Sequence, residues 1–483
     1  MELGVAVDAA TRPLKIGLFG TGLDAYWAQF EGLQARLEGY VETVAAKLAR
    51  LGVEIVNLGL VDTPQKAVEA RHQFRSFDVD LIFLYVTTYA LSSTVLPAVR
   101  RAGVPVVILN LQPERAIDYA AFNRLKNRTQ MTGEWLAYCA ACPVPEIANV
   151  FMRSGIPTHQ ITGILRGDPH VDAEIEDWIE AARVAHVMAH NRLGVMGHYY
   201  NGMLDIYSDL TAQSAAFGTM VEFMEMDELA SIRRALGEAE VDAMLARIEA
   251  EFDIEPECDP AELRRAAATA AALATPVTRH DLGSMAYFYV SVPGHEHEDL
   301  ISSVILGCSL LTASGVPVAG EYEIKNARAM KIMDAFGTGG SFTEYYAIDY
   351  EDDVVLMGHD GPGHTKIAQG KTKVRPLEVY HGKVGKGVSV EMSVRHGPVT
   401  LLSVIERAGK VELLVAEGES VPGPILEIGN TNSRYRFANG ARAFTEARNA
   451  AGPAHHCAVG VGHISGRLEK LAGLLDLKMT RVA

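Results

Sequence analysis

Over the first 110 residues, short apolar runs alternate with amphipathic stretches at regular intervals. Lys15–Phe19, Val53–Leu58, Leu81–Tyr85 and Val104–Leu109 read as strands. Between them Leu33–Leu51, Pro64–Phe74 (with Glu69 and Arg71 outward) and Ser93–Ala102, ended by Gly103, read as helices. Strands that are apolar along their whole length have no solvent face, so they belong to a parallel sheet covered on both sides. With right-handed crossovers, residues 1–175 become an open, doubly wound, flavodoxin-like α/β domain with ligands near the carboxyl ends of its strands.

Residues 176–328 read as a second α/β domain. His186–His190 is helical before the strand Leu193–Met196, and Asp227–Phe252 reads as one long charged helix. Asp259 before Pro260 starts an Ala-rich helix over Pro260–Ala274, and Met285–Val292 is the next strand. Leu300–Gly320 carries no formal charge, but its Ser, Thr, Gly and Pro residues break it into a helix and then a strand, not a membrane span. From 329 to 483 the pattern changes. Val354–Met357, Leu377–Tyr380, Val388–Val394, Val399–Ile405 and Val411–Glu417 are short, alternating and separated by Gly or Pro. These predict a β-rich C-terminal domain, antiparallel or barrel-like, with the helix Gly466–Leu474 at the end of the chain.

A length of 483 residues agrees with two or three cores, and 48% apolar composition excludes a disordered chain. The 44 basic and 60 acidic side chains leave a net charge of −16, which repels nucleic acid and anionic membrane. The expected partner is therefore a small molecule. Met1-Glu2-Leu3 opens without a basic or apolar leader, and five scattered cysteines suit a reducing, cytoplasmic compartment. Cys139 and Cys142 read as buried residues one turn apart on a helix.

Three motifs are weak. Gly20-Thr21-Gly22-Leu23-Asp24-Ala25 matches a dinucleotide fingerprint, but the second strand ends in Asn57-Leu58-Gly59 with no carboxylate before Asp62. It reads as a turn carrying a loop to a cleft. His295-Glu296-His297 reads as a solvated turn, and Gly337–Ser341 as a flexible loop lacking the lysine of a phosphate loop. A fourth constellation is stronger. Glu321 closes the strand Val316–Gly320, Glu344 follows the Gly-rich loop, His359 ends the strand Val354–Met357, and His455-His456 stand near the C-terminus. Two carboxylates, with the imidazoles of His359 and one member of that pair, form an N/O donor set suited to Mn²⁺, Co²⁺ or Mg²⁺.

The order and spacing of Gly320-Glu321-Tyr322-Glu323-Ile324-Lys325, Gly339-Gly340-Ser341-Phe342-Thr343-Glu344, Val355-Leu356-Met357-Gly358-His359 and Gly452-Pro453-Ala454-His455-His456 resemble the L-arabinose isomerase family. Asn430–Phe437 is similar to the wider L-fucose/L-arabinose isomerase group. The resemblance implies a metal, Mn²⁺ in that family, held by Glu321, Glu344, His359 and His456, and a three-domain fold. It also implies aldose–ketose isomerisation of a small sugar in a homo-oligomer, often a hexamer, with active sites shared between subunits. Gly20-Thr21-Gly22 and Asn127-Arg128-Thr129-Gln130-Met131 depart from the family on the sugar-contacting side, so the metal set carries over and the particular sugar does not.

Isomerisation moves a proton between adjacent carbons through an enediolate, and Glu321 and Glu344 are the expected acid–base pair. His359 and His456 should bind as neutral rings, each oriented by an acceptor that the sequence does not identify. Trp27, Phe342, His364, Arg434 and His455 are the expected sugar contacts. A metal-dependent epimerase or lyase could use the same donors, and a non-catalytic sugar-binding protein would leave them without a common task.

Overall fold

A computed structural model of the chain describes residues 13–380, 383–384 and 386–483. The opening Met1-Glu2-Leu3 lies outside them. The chain divides into two compact units, the first ending at His186 and the second running from Val187 to Ala483.

Among the described residues of the first unit, five parallel strands form one sheet: Lys15–Thr21, Glu54–Val61, Leu81–Tyr85, Val106–Gln112 and His159–Ile164. Their spatial order is second, first, third, fourth, fifth. Leu81–Tyr85 is buried at every position, as its unbroken apolar run requires. Helix Leu33–Ala49 buries Leu33, Leu37, Val41, Val44 and Leu48 along one stripe. Helix Pro64–Phe77 starts at Thr63, whose Oγ1 accepts the Lys66 N–H at 3.1 Å.

The order reverses beside the first strand, where a doubly wound sheet opens a crevice. Threonines close it here. Thr87 Oγ1 donates to the Thr21 carbonyl at 2.5 Å, while Thr21 Oγ1 accepts the Thr87 N–H at 3.2 Å and donates to the Thr88 carbonyl at 3.4 Å. A Cβ on Gly20 would meet Val41 Cγ2 at 2.5 Å, so this glycine serves packing. The segment after it forms a short 3-10 turn, Asp24–Tyr26, and the helix begins only at Leu33.

Cys139 and Cys142 do not share a helix. They lie on the turn between helices Arg128–Leu136 and Val144–Arg153, Cys139 buried and Cys142 exposed. The first helix ends at Leu136; the second begins after Pro143 and carries Pro145 in its first turn, where a missing N–H costs nothing.

In the second unit, Val318–Ala319, Leu282–Phe288, Arg192–Gly197 and Val221–Met224 lie in that order in a parallel sheet. Helix Pro260–Arg279 is capped by Asp259, whose Oδ1 accepts the Ala261 N–H at 2.8 Å. The single helix expected over Asp227–Phe252 is two, Met226–Ala235 and Glu238–Glu251. Gly237 divides them, and its N–H donates to Glu240 Oε2 at 2.9 Å. His295 caps the helix Glu296–Ile301 instead of lying in a turn. Helix Ser465–Leu474 is followed by a strand, Lys478–Arg481, which pairs in parallel with Lys410–Ser420.

The C-terminal strands close on themselves. Gly397–Arg407 pairs with Cys457–Val461, which pairs with Gly339–Asp349, then Val354–His359, Thr431–Arg436 and Lys410–Ser420, which returns to Gly397–Arg407. Every one of these pairings is antiparallel, and the closed circuit is a barrel; Lys373–Pro376 and Val388–Glu391 lie outside it, in a sheet with Asp253–Ile254. Among the described residues, no helix is long and apolar enough to cross a membrane.

Candidate metal centre

Three neighbouring barrel strands supply three of the expected ligands. Glu344 pairs with Gly358 on one side, and Thr343 with Cys457 on the other. His359 and His456 are the next residues out, so antiparallel register brings all three to one end of the barrel. The central strand begins at Gly339 and Gly340, with φ of 98° and 112°. A Cβ on Gly340 would meet the Met330 carbonyl at 2.6 Å. The glycines expected to form a flexible loop therefore let a strand pack on helix Ile324–Ala335.

Glu321 arrives from the carboxyl end of the parallel strand Val318–Ala319. It and Tyr322 have φ of 56° and 64°, two successive side-chain-bearing residues in left-handed backbone. Such residues cost about 1–3 kcal/mol each and persist only where surroundings enforce them. Here the Tyr322 N–H donates to Tyr287 O and the Glu323 N–H to Gly320 O, each at 3.0 Å.

The side chains converge. Glu321 Oε2 lies 3.5 Å from His456 Nε2, Glu321 Oε1 3.9 Å from His359 Nε2, and Glu344 Oε2 4.0 Å from His456 Nε2. His455 Nε2 joins them, 3.7 Å from Glu321 and 3.8 Å from Glu344. Two triads capable of holding a cation result, Glu321–His359–His456 and Glu344–His455–His456, sharing one ring. Glu321 Oε2 and His456 Nε2 are buried without a hydrogen-bond partner among the described residues. Two bonds of about 2.1 Å meeting at one ion leave their donor atoms roughly 3–4 Å apart, so this donor set fits a divalent cation.

The ring orientations have causes. His456 Nδ1 faces Glu323 Oε2 at 2.5 Å, which turns Nε2 to the centre. Burial drives the His456 pKa down to about 3, aided by neighbouring His455, and keeps the ring neutral. Burial likewise pushes the Glu323 carboxyl up to about 7. Burial would raise Glu321 too, but His455, His456 and His359 outweigh it and hold that carboxyl below its usual range. At His455 burial opposes the charge, yet Glu321 and Asp205 prevail and lift its pKa to about 9. Asp205 Oδ2 accepts the His455 N–H at 3.0 Å and faces its Nδ1 at 2.6 Å. Lys325 fixes that loop by donating to the carbonyls of Asp205 (2.6 Å) and Tyr207 (3.1 Å). Arg448 donates to the carbonyls of Ala454, His455 and His456 at 3.4, 3.5 and 3.2 Å. Sequence reasoning assigned no role to Glu323, Asp205 or Arg448, and only Glu323, two residues from Glu321, carried any signal.

A cavity of about 300 Å³ opens onto the cluster. Glu321, Glu344, His359, Asp360 and His455 line its polar side, and Tyr200, Met203, Tyr287, Phe288 and Pro362 its apolar side. That size suits a small ligand. The other expected contacts are placed differently. Phe342 is 1% exposed and packs against the rings of both His359 (4.4 Å) and His456 (4.3 Å). His364 is buried, and its backbone N–H donates to Ser341 Oγ at 3.3 Å. Arg434 pairs with Asp352 and lines another cavity, of about 250 Å³. Trp27 belongs to the first unit and donates from Nε1 to Asp62 Oδ2 at 2.9 Å.

Residues 339–478 match the sequence profile of the L-arabinose isomerase C-terminal domain. The L-arabinose isomerase of Shewanella sp. (strain MR-4) is 26% identical over 267 residues, 53% of this chain and 52% of that protein. The L-arabinose isomerase of Nocardioides sp. is 24% identical over 405 residues, 80% and 77% respectively. The chain thus spans about half the length of the Shewanella relative it matches. A sugar ABC transport substrate-binding protein from Bordetella parapertussis superposes with a TM-score of 0.16 at 13% identity, over 64% of this chain and 82% of that one, and carries no argument.

Proposed function

We propose, on the premise that the chain is a divergent relative of the L-arabinose isomerases, that it is a metal-dependent aldose–ketose isomerase of a small sugar. The convergence of Glu321, Glu344, His359 and His456 beside one small cavity is the observation that carries this reading. These four residues would hold the cation, Mn²⁺ or else Co²⁺ or Mg²⁺. A cation there supplies positive charge that stabilises negative charge developing on two adjacent sugar oxygens.

Glu321 takes the proton from the carbon beside the carbonyl and returns it to the former carbonyl carbon. Glu344 moves the proton between the two oxygens. Glu323 keeps the His456 ring turned to the centre, and Asp205 does the same for His455. The apolar wall of Tyr200, Tyr287 and Phe288 covers the carbon face of the sugar and limits water at the reacting atoms. The strand order of the first unit supports a flavodoxin-like N-terminal domain, within a three-domain division at 1–175, 176–328 and 329–483. We extend the reading to a homo-oligomer, which light scattering tests directly.

The decisive experiment is turnover on a panel of pentoses, hexoses and deoxysugars with Mn²⁺, with and without EDTA, repeated in D₂O. The reading expects aldose–ketose conversion that EDTA abolishes and that admits solvent deuterium at the reacting carbon. Conversion indifferent to EDTA, or inversion of one carbinol centre without a ketose, overturns it.

A further inference from the structure

The isomerase reading leaves the two turn thiols of the first unit unused. Two residues separate them on the stretch between helices Arg128–Leu136 and Val144–Arg153. A disulfide needs Cα atoms roughly 4.4–6.8 Å apart, a span that two intervening residues allow. The two thiols also interact with one another, and Cys139 takes a hydrogen bond from the Tyr89 backbone.

The two sulfurs differ in a way that suits a sequence of two steps. Cys142 is exposed and stands just before Pro143, at the amino end of the ten-residue helix Val144–Arg153. Pro143 offers that helix no side-chain cap. Cys139 is buried behind it, and burial together with neighbouring Cys142 pushes its thiol up to about 11, which keeps it protonated until it is called on. The remaining cysteines, Cys258, Cys308 and Cys457, are buried.

The turn also ends a wall. Helix Arg128–Leu136 runs into it, and Gln130, Gly133 and Glu134 of that helix line a cavity of about 640 Å³ together with Phe30 and Arg36. Arg36 and Glu134 bridge across it at 2.7 Å. Thr88 Oγ1 anchors the helix end by donating to the Leu136 carbonyl at 2.8 Å.

We propose that Cys142 and Cys139 form an oxidation site for hydroperoxides, whose disulfide product restrains the end of helix Arg128–Leu136. The Cys142 thiolate attacks the terminal oxygen of hydrogen peroxide, the O–O bond breaks, and a proton turns the departing hydroxide into water. Cys142 is then a sulfenic acid. The Cys139 sulfur attacks it, the S–O bond breaks, the S–S bond forms, and the Cys139 proton leaves with the hydroxyl as a second water. Peroxide is reduced and two thiols are oxidised.

The test treats the reduced, folded, full-length protein with hydrogen peroxide, then unfolds it in the presence of a maleimide and maps the products by mass spectrometry. The expected product has Cys139 and Cys142 unlabelled and joined, with Cys258, Cys308 and Cys457 labelled. In Cys139→Ser the reaction should stop at a Cys142 sulfenic acid that a dimedone probe captures, and Cys142→Ser should give neither product. In the folded protein iodoacetamide should modify Cys142 well before Cys139. Hydrogen exchange over 128–136 should slow in the oxidised protein. Absence of the Cys139–Cys142 disulfide in folded protein, equal peroxide reactivity of the two single variants, or alkylation of Cys139 as fast as that of Cys142 in the folded protein each overturns the proposal.

Discussion

Two places in this molecule gather polar side chains at the ends of strands, and they treat hydrogen bonds oppositely. At the carboxyl ends of Lys15–Thr21 and Leu81–Tyr85, Thr21, Thr87 and Thr88 satisfy one another. Around Glu321 and His456, two buried polar atoms face each other at 3.5 Å with no hydrogen bond, and Glu321 sits on backbone held in a left-handed conformation. Buried polar groups are normally paired, because an unpaired one costs about 1–3 kcal/mol. Where the chain closes its own network, the polar groups serve the fold. Where it leaves atoms open and bears strain as well, something from outside the chain is expected to complete them.

The largest effect separating these places should come from Glu321→Gln and Glu344→Gln. Each is expected to lower turnover by about 10²–10⁴-fold. Near-unchanged rates in either variant, with metal content verified, would remove that carboxylate from the chemistry. Glu323→Gln touches the centre only through His456, and should weaken binding of Mn²⁺ by about 10–100-fold in equilibrium dialysis. An unaltered affinity would mean that the His456 ring needs no partner at Nδ1.

Thr87→Val opens the closed network instead. It should cost about 1–3 kcal/mol in urea unfolding while Mn²⁺ affinity stays the same. A stability loss absent there, or a metal effect present, breaks the contrast between the two places. The smallest expected effect concerns strain without a ligand nearby. Ala408 and Gly409 join Gly397–Arg407 to Lys410–Ser420 with φ of 50° and 78°. Ala408→Asn should raise stability by up to about 1 kcal/mol, since Asn tolerates this conformation better. A destabilised variant would show that left-handed backbone at this hairpin is set by side-chain packing.

What was legible follows from the range of the forces involved. Leu81–Tyr85 announced a buried strand because burial on both faces requires an unbroken apolar run. Glu321, Glu344 and His359 were legible because they fall within one short block whose order is itself distinctive. Gly237 was missed because a glycine inside a charged periodic run leaves the period intact while its N–H caps a new helix. The break before Pro143 was missed too, and the error placed the exposed Cys142 in the interior. Asp205 was illegible for a different reason. It meets His455 across 250 residues, and an exposed aspartate in a loop has no local feature to mark it. Phe342 was recognised as belonging to the site, but only packing revealed that it is buried against the rings of His359 and His456.

The pairing irregularity between Tyr345 and Ala347 has a bearing on how much length variation this barrel tolerates. Successive residues on a strand point to opposite sides, so a slip of one position would present Thr343 or Tyr345 where Glu344 now stands. The irregularity falls on the far side of Glu344, toward the hairpin that returns at Val354. Residues gained or lost around Tyr350–Asp353 lie beyond it from the carboxylate, and a second irregularity, between Gly339 and Ser341, stands on the other side of Glu344.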